Sequence, residues 1–205
     1  MARSPIAPRK RPRQQRSRET VARILDAAAE VFAEHGSTAT TTHAVAERAG
    51  VSIGSLYQYL PNKEALLVAL SERHLDDAAT RLGPRLVELR DREPDVTTLA
   101  EAMVDLAIEL NDDPAGLHHL LFTAAPRTPE VLERFDALID VVVAEAAHHL
   151  RRLGVGGADP DLRARVLVHA VDAAIHEVVL PLTGAARDAA RAEVVALVRR
   201  GVGAT

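Results

Sequence analysis

Two tyrosines, Tyr57 and Tyr59, are the only ones in a chain of 205 residues, and both stand in "ERAGVSIGSLYQYLPNKEAL", residues 47–66. Ser52, Ser55, Gln58 and Lys63 surround them. These are side chains for contact rather than for bond breaking. A glutamine amide pairs bidentately with adenine in the major groove. Hydroxyls, an ammonium and helix N-termini take phosphate oxygens. The core is supplied with aliphatic residues, so the tyrosines serve as polar-tipped contacts; the plainer alternative is that they pack a small helical subdomain.

A second set lies near the C-terminus. Arg165, His169, Asp172 and His176 form a polar stripe, and the last three, spaced three and four apart, share one helix face. His and Asp at that spacing suit a metal ion, a salt-bridged or solvated stripe, or hydrogen bonds to a ligand or across a dimer. No metal is assigned to them. The neighbours His118-His119 and His148-His149 point about 100° apart on a helix and seldom share an ion. No nucleophile elbow, glycine-rich phosphate loop or HExxH motif occurs, so no catalytic residue and no cofactor is assigned, and the chain is read as a non-enzyme.

The elements that must hold the first set are short helices. Val21, Ile24, Leu25, Ala28, Val31 and Phe32 predict a helix over 19–35, with Gly36 its stop. Thr41 caps a second over 42–49. Gly50-Val51-Ser52 is a tight turn, and Ser52 caps a third over 53–59. Two short helices joined by a glycine-containing turn form a helix-turn-helix. In it Val51 plugs the angle, Ala46 and Ala49 allow a close crossing, and Leu56 and Leu60 pin the third helix inward. Ile53, Gly54, Ser55, Tyr57, Gln58 and Tyr59 are left outward or at the rim.

Beyond Asn62, helices are expected over 63–82, 95–111, 114–122, 129–153, 160–182 and 185–200. Gly83-Pro84 breaks or kinks the first of these. Strand-like alternation is absent, so the fold class is all-α: a three-helix reader followed by a larger helical bundle. The organisation expected is a disordered basic arm over 1–18, a reader over 19–66 and a helical body over 67–205.

Charge follows that division. Residues 1–63 carry a net +5 and the remainder a net −9. A positive head on a negative body suits a protein that meets a polyanion with its head alone. Cysteine is absent, which excludes disulfides and thiolate chemistry. No run of about eighteen apolar residues exists to span a membrane, and no apolar stretch follows the basic N-terminus, so a cytoplasmic location is expected.

The run Thr41 to Leu66, "TTxxVAERAGVSxGSLYQYLPNKEAL", closely resembles the TetR family of bacterial transcriptional regulators, and the match is dense over 19–66. Ser37 and Leu60 depart from it, since aromatics are common at both positions. The resemblance implies that Thr42, His43, Ser52, Ser55, Tyr57, Gln58, Tyr59 and Lys63 touch double-stranded operator DNA. It also implies a homodimer built by the last two helices. Independently, the stretch 160–182 is apolar nearly all round, and its small side, Ala170, Ala173 and Ala174, fits a partner's close approach. Ala189, Ala192, Val195 and Ala196 offer the same on the last helix.

A repressor released by a small-molecule effector is the resulting expectation. Effector-pocket candidates are Met103, Leu106, Phe122, Phe135 and Leu138 as apolar lining and His118, His119 and His176 as polar anchors, with plain core the alternative for each. The rival class is an architectural DNA-binding protein, which would not need so large an acidic body.

Overall fold

A computed structural model describes residues 15–112 and 116–203. Nine α-helices are described: α1 (Gln15–Ala39), α2 (Thr42–Arg48), α3 (Ile53–Tyr59), α4 (Lys63–Arg92), α5 (Val96–Asn111), α6 (Leu117–Ala124), α7 (Pro129–Leu153), α8 (Pro160–Ala174) and α9 (Gly184–Gly201). A π-helical turn, Ile175–Val179, continues α8. No strand occurs among the described residues. Residues 1–14 of the expected arm lie outside the described ones. The remainder of that arm corrects the sequence reading, because α1 begins at Gln15 rather than at 19. Its first turn carries arginines and no acid, and charge alone does not stop such residues from forming a helix.

The helix ends follow from local chemistry. Gly36 takes φ 71°, a left-handed conformation that glycine adopts without penalty, and breaks the α1 path. Thr40 Oγ1 donates to Gly36 O at 2.7 Å and closes that end. Thr41, Ser52, Asp95 and Asp159 cap α2, α3, α5 and α8 by accepting from the amides of Ala44, Ser55, Thr98 and Leu162. Asn62 Oδ1 accepts from Ala65 N at 2.8 Å at the start of α4.

Of the expected break or kink at Gly83-Pro84, the break and the helix end near Leu82 are overturned: α4 runs through Pro84 to Arg92. An interior proline costs about 3 kcal/mol. Leu82, Leu86 and Leu89 lie on either side of it and are buried with Leu106 and Leu110. At about 1.5–3 kcal/mol per buried leucine, their packing outweighs the proline. Arg81 adds a hydrogen bond to Leu110 O at 2.9 Å.

The chain forms two compact units. The first takes the described residues up to Leu75 together with those up to Glu133 that follow Asp112. Its core is Ile24, Leu25, Ala28, Val31 and Phe32 of α1, Val45 and Ala46 of α2, Leu56 and Leu60, and Leu66 and Leu70 of α4. Leu121 of α6 joins this core. The sequence pattern puts that stretch in the body, with the division after residue 66. A short helix with Leu117 and Leu121 on one face carries no mark of which core it will enter.

The second unit takes Asp76–Asp112 and Arg134–Thr205, of which residues up to 203 are described. In it α5, the π turn and α9 bury Ala100, Val104, Ile175, Val179, Val194 and Val195 together. A further cluster joins α7 to α8 through Ile139, Val143, Ala147, Leu150 and Ala164.

Candidate nucleic-acid interface

The reader presents α3 on a framework of buried small and aliphatic residues. Ala46 and Ala49 are buried where α2 crosses α3, and Leu56 and Leu60 anchor α3 from behind. Gly50 turns the chain at φ 63°. Val51 and Ile53 pack at the edge of the core, so Ile53 sits at the rim rather than outward.

Each expected contact residue has a definite place. His43 and Gln58 are exposed. Tyr57 is 37% exposed, and its hydroxyl lies 3.0 Å from Thr42 Oγ1. Ser52 and Ser55 are tied to each other, Oγ to Oγ at 2.8 Å, while Ser55 N donates to Ser52 Oγ at 3.1 Å. Tyr59 packs partly into the reader core and donates its hydroxyl proton to Ser17 Oγ at 3.1 Å. Lys63 Nζ donates to Ser37 O at 2.6 Å and to Thr38 O at 3.5 Å. It therefore closes the end of α1, and of its three N–H donors one remains for a phosphate. A side chain added at Gly54 would meet nothing closer than Ser52 Oγ at 3.9 Å. The fold itself does not require glycine there, so the bare backbone leaves room in front of α3.

Ion pairs brace the back of this framework. Arg48, in the last turn of α2, bonds Glu34 at 2.8 and 2.9 Å and Glu30 at 3.0 Å. Hydrogen bonding from Arg48 holds the Glu34 carboxyl below its ordinary range, and the same bonds raise Arg48. Arg23 of α1 was not among the sequence candidates. Its guanidinium donates to Ala49 O at 2.6 Å and Gly50 O at 3.3 Å. The available signal was the polar stripe Arg23, Glu30 and Glu34 along α1.

The effector-pocket candidates divide between the two units. His118, His119 and Phe122 belong with the reader. There His118 is buried, its Nδ1 lies 2.9 Å from His74 Nε2, and its ring stacks on Phe122. His119 is exposed. In the second unit Met103, Leu106 and Leu138 pack with Leu82 and Leu86 of α4, while Phe135 lies against the α7–α8 cluster. His176 is buried in the π turn, and its Nδ1 donates to Asp172 O at 2.8 Å, which fixes the tautomer. Burial pushes the Asp172 carboxyl up, against the pull of His176 and His169. Arg165 pairs with Asp140 at 3.2 Å and His169 is exposed. Among the described residues no three His, Cys, Asp or Glu are placed to hold a metal.

The dimer candidates also separate. Ala173, Ala189 and Ala192 are exposed, and Ala170, Ala174 and Ala196 are half-buried. Val195 is a correction: it is buried with Ile175 and Val179 in its own unit, because it faces inward from α9. On the stretch from α8 to α9 the large exposed apolar side chains are Leu162, Val166, Val178 and Leu197, while Val87, Leu132 and Val141 are exposed on α4 and α7. Among the described residues, no helix is long and apolar enough to cross a membrane.

Residues 24–70 match the family model described as bacterial regulatory proteins, tetR family, and residues 95–200 match the tetracyclin repressor-like C-terminal domain. The chain belongs to the TetR family. Similar proteins include the HTH-type transcriptional activator FasR of Mycolicibacterium smegmatis, 28% identical over 144 residues, 65% of this chain and 64% of that protein. The transcriptional repressor KstR of the same species is 45% identical over 65 residues, 31% of this chain and 32% of that one. The chain thus spans less than two thirds of the length of these relatives. A solved structure of SmeT in complex with triclosan is 30% identical, with a TM-score of 0.53 over 89% of this chain and 91% of that one.

Proposed function

We propose that this TetR-family protein is a cytoplasmic repressor that binds a palindromic operator as a homodimer and leaves it when a small apolar molecule enters the body. The observation that carries the DNA reading is the face of α3. Gln58 is exposed, Tyr57 and Thr42 present paired hydroxyls, and Gly54 leaves the front of the helix open. α3 enters the major groove, Gln58 reads a base edge, and Tyr57, Thr42, His43, Ser52, Ser55 and Lys63 meet the phosphates.

Dimerisation supplies two such helices. Leu162 and Val166 stand one helical turn apart on α8 and are 59% and 57% exposed, and Leu197 on α9 is 42% exposed. Side chains of this size on adjacent turns of one helix suit a partner's surface, and Ala173, Ala189 and Ala192 let that surface approach. The test is selection of duplexes from a random-sequence pool. An inverted repeat with half-sites about 34–36 Å apart, or a multiple of it, supports the reading. Smooth, sequence-independent coverage favours an architectural protein.

The effector site proposed is the apolar cluster of Met103, Leu106 and Leu138 against Leu82 and Leu86, because the methionine adapts its shape and α4 contributes to it. The same helix, Lys63–Arg92, also begins in the reader core through Leu66 and Leu70. A ligand favouring one α4 position therefore shifts the population of DNA-competent readers. Coupling of about 1–3 kcal/mol weakens operator binding roughly five- to 150-fold, and operator weakens ligand binding by the same factor. A compound found by thermal-shift screening, titrated with and without operator, tests this. Equal affinities in both titrations would show binding without regulation.

A further inference from the structure

We infer that Arg23 is the positioning residue of the recognition helix: from α1 it fixes the α2–α3 turn through main-chain carbonyls, without touching DNA. The inference rests on the DNA-reading role of α3. The geometry is direct. Arg23 Nη2 donates to Ala49 O at 2.6 Å and to Gly50 O at 3.3 Å. These carbonyls end α2, where a helix leaves its last acceptors without partners and concentrates partial negative charge. A guanidinium satisfies both demands at once, with several donors in a rigid fork.

Position follows from sequence distance. The cap of α3, Ser52, is two residues beyond Gly50, and the base-reading Gln58 lies on the next two turns. A shift of the Ala49–Gly50 carbonyls therefore tilts α3 as a whole. Gly50 N and Val51 N bond back to Glu47 O and Ala46 O, each at 3.0 Å, so the turn has two bonds of its own and takes its outside anchor from Arg23. Arg48 works in the opposite direction, from the end of α2 to Glu30 and Glu34 of α1. Together the two arginines lock both sides of the α1–α2 crossing.

The same stretch of α1 receives α4. Arg73 bonds Asp26 Oδ1 at 2.6 Å and Leu25 O at 3.4 Å. Asp26 is three residues from Arg23, so α4, α1 and the turn are joined in series by two guanidinium contacts within the reader. A displacement of the first half of α4 reaches α3 along this path.

The test uses the full chain, Arg23→Ala and Arg23→Lys, a duplex selected by the wild type from a random pool, and a scrambled duplex of equal length. Arg23→Ala is expected to lose about tenfold in affinity for the selected duplex, the worth of one charge-assisted hydrogen bond, with the scrambled duplex and the salt slope unchanged. Arg23→Lys, which reaches one carbonyl, is expected to recover part of the loss. Equal losses on both duplexes, with a salt slope lower by about one, would make Arg23 a phosphate contact and overturn the inference. Amide exchange in the free protein is the second readout. Faster exchange confined to Gly50 and Val51 in Arg23→Ala supports the clamp even if the wild type selects no duplex, an outcome that would instead refute the DNA-reading role. Unchanged exchange there overturns the clamp. Unfolding of Arg23→Ala leaves the same comparison to Arg23→Lys.

Discussion

The hydroxyls of Thr42 and Tyr57 meet at 3.0 Å, joining the first turn of α2 to the middle of α3. One hydroxyl donates to the other, and the second keeps its proton for an outside acceptor. The two residues thus form one donor unit on the side proposed to face DNA. Tyr57→Phe and Thr42→Val are each expected to weaken DNA binding by about 0.5–1.5 kcal/mol. The double variant should lose hardly more than either single one, since both break the same unit. Binding titrations around the cycle check this, and fully additive losses would mean two independent contacts.

Lys63 has a structural duty and a proposed one. Two of its protons go to Ser37 O and Thr38 O, and one remains for a phosphate. Lys63→Met should lower the unfolding free energy by about 1 kcal/mol, discounted because the site is partly exposed. It should also lower the salt slope of DNA binding by about one. Urea unfolding and binding at several salt concentrations separate the two effects.

Leu162 and Val166 are exposed on successive turns of α8. Val166→Glu is expected to leave the fold intact, since the side chain is 57% exposed, and to yield monomers in sedimentation velocity. A dimer of unchanged stability would move the interface elsewhere.

His149 gives the chain a pH dependence of known sign. Its side chain is fully buried, 3.2 Å from Glu145 Oε1, and Arg90 grips the same carboxylate from the surface at 2.7 Å. Burial lowers the His149 pKa more than Glu145 raises it, while Arg152, His148 and Arg90 lower it further. The unfolded chain therefore takes this proton first. The stability is complete above the ordinary histidine value of about 6.5 and is lost as pH falls through the lower folded value. The slope has a one-proton limit of about 1.4 kcal/mol per pH unit. Urea midpoints between pH 8 and 5 should fall in the wild type, and His149→Asn should flatten that fall even if it costs stability throughout.

Much of this architecture is legible in the chain itself. Ile53–Tyr59 and Pro129–Leu153 stand where capping serine, turn glycine and proline put them. The helix-turn-helix is legible because each of its residue types answers a local demand. The path of α4 through Pro84 is not, because distant Leu106 and Leu110 decide it. Leu121 likewise enters the reader core on tertiary grounds. Lys63 and Tyr59 read as free contacts until Ser37 O and Ser17 come within reach across the fold. Arg23 was missed for a related reason: its acceptors are backbone carbonyls, which no residue type advertises.

The central claim, that α3 reads DNA sequence through Gln58, is tested most directly by repeating the duplex selection with Gln58→Ala beside the wild type. The expected outcome is the same inverted repeat with preference relaxed by about 1–3 kcal/mol at one symmetric position in each half-site. An unaltered consensus, with unaltered discrimination at every position, would contradict it.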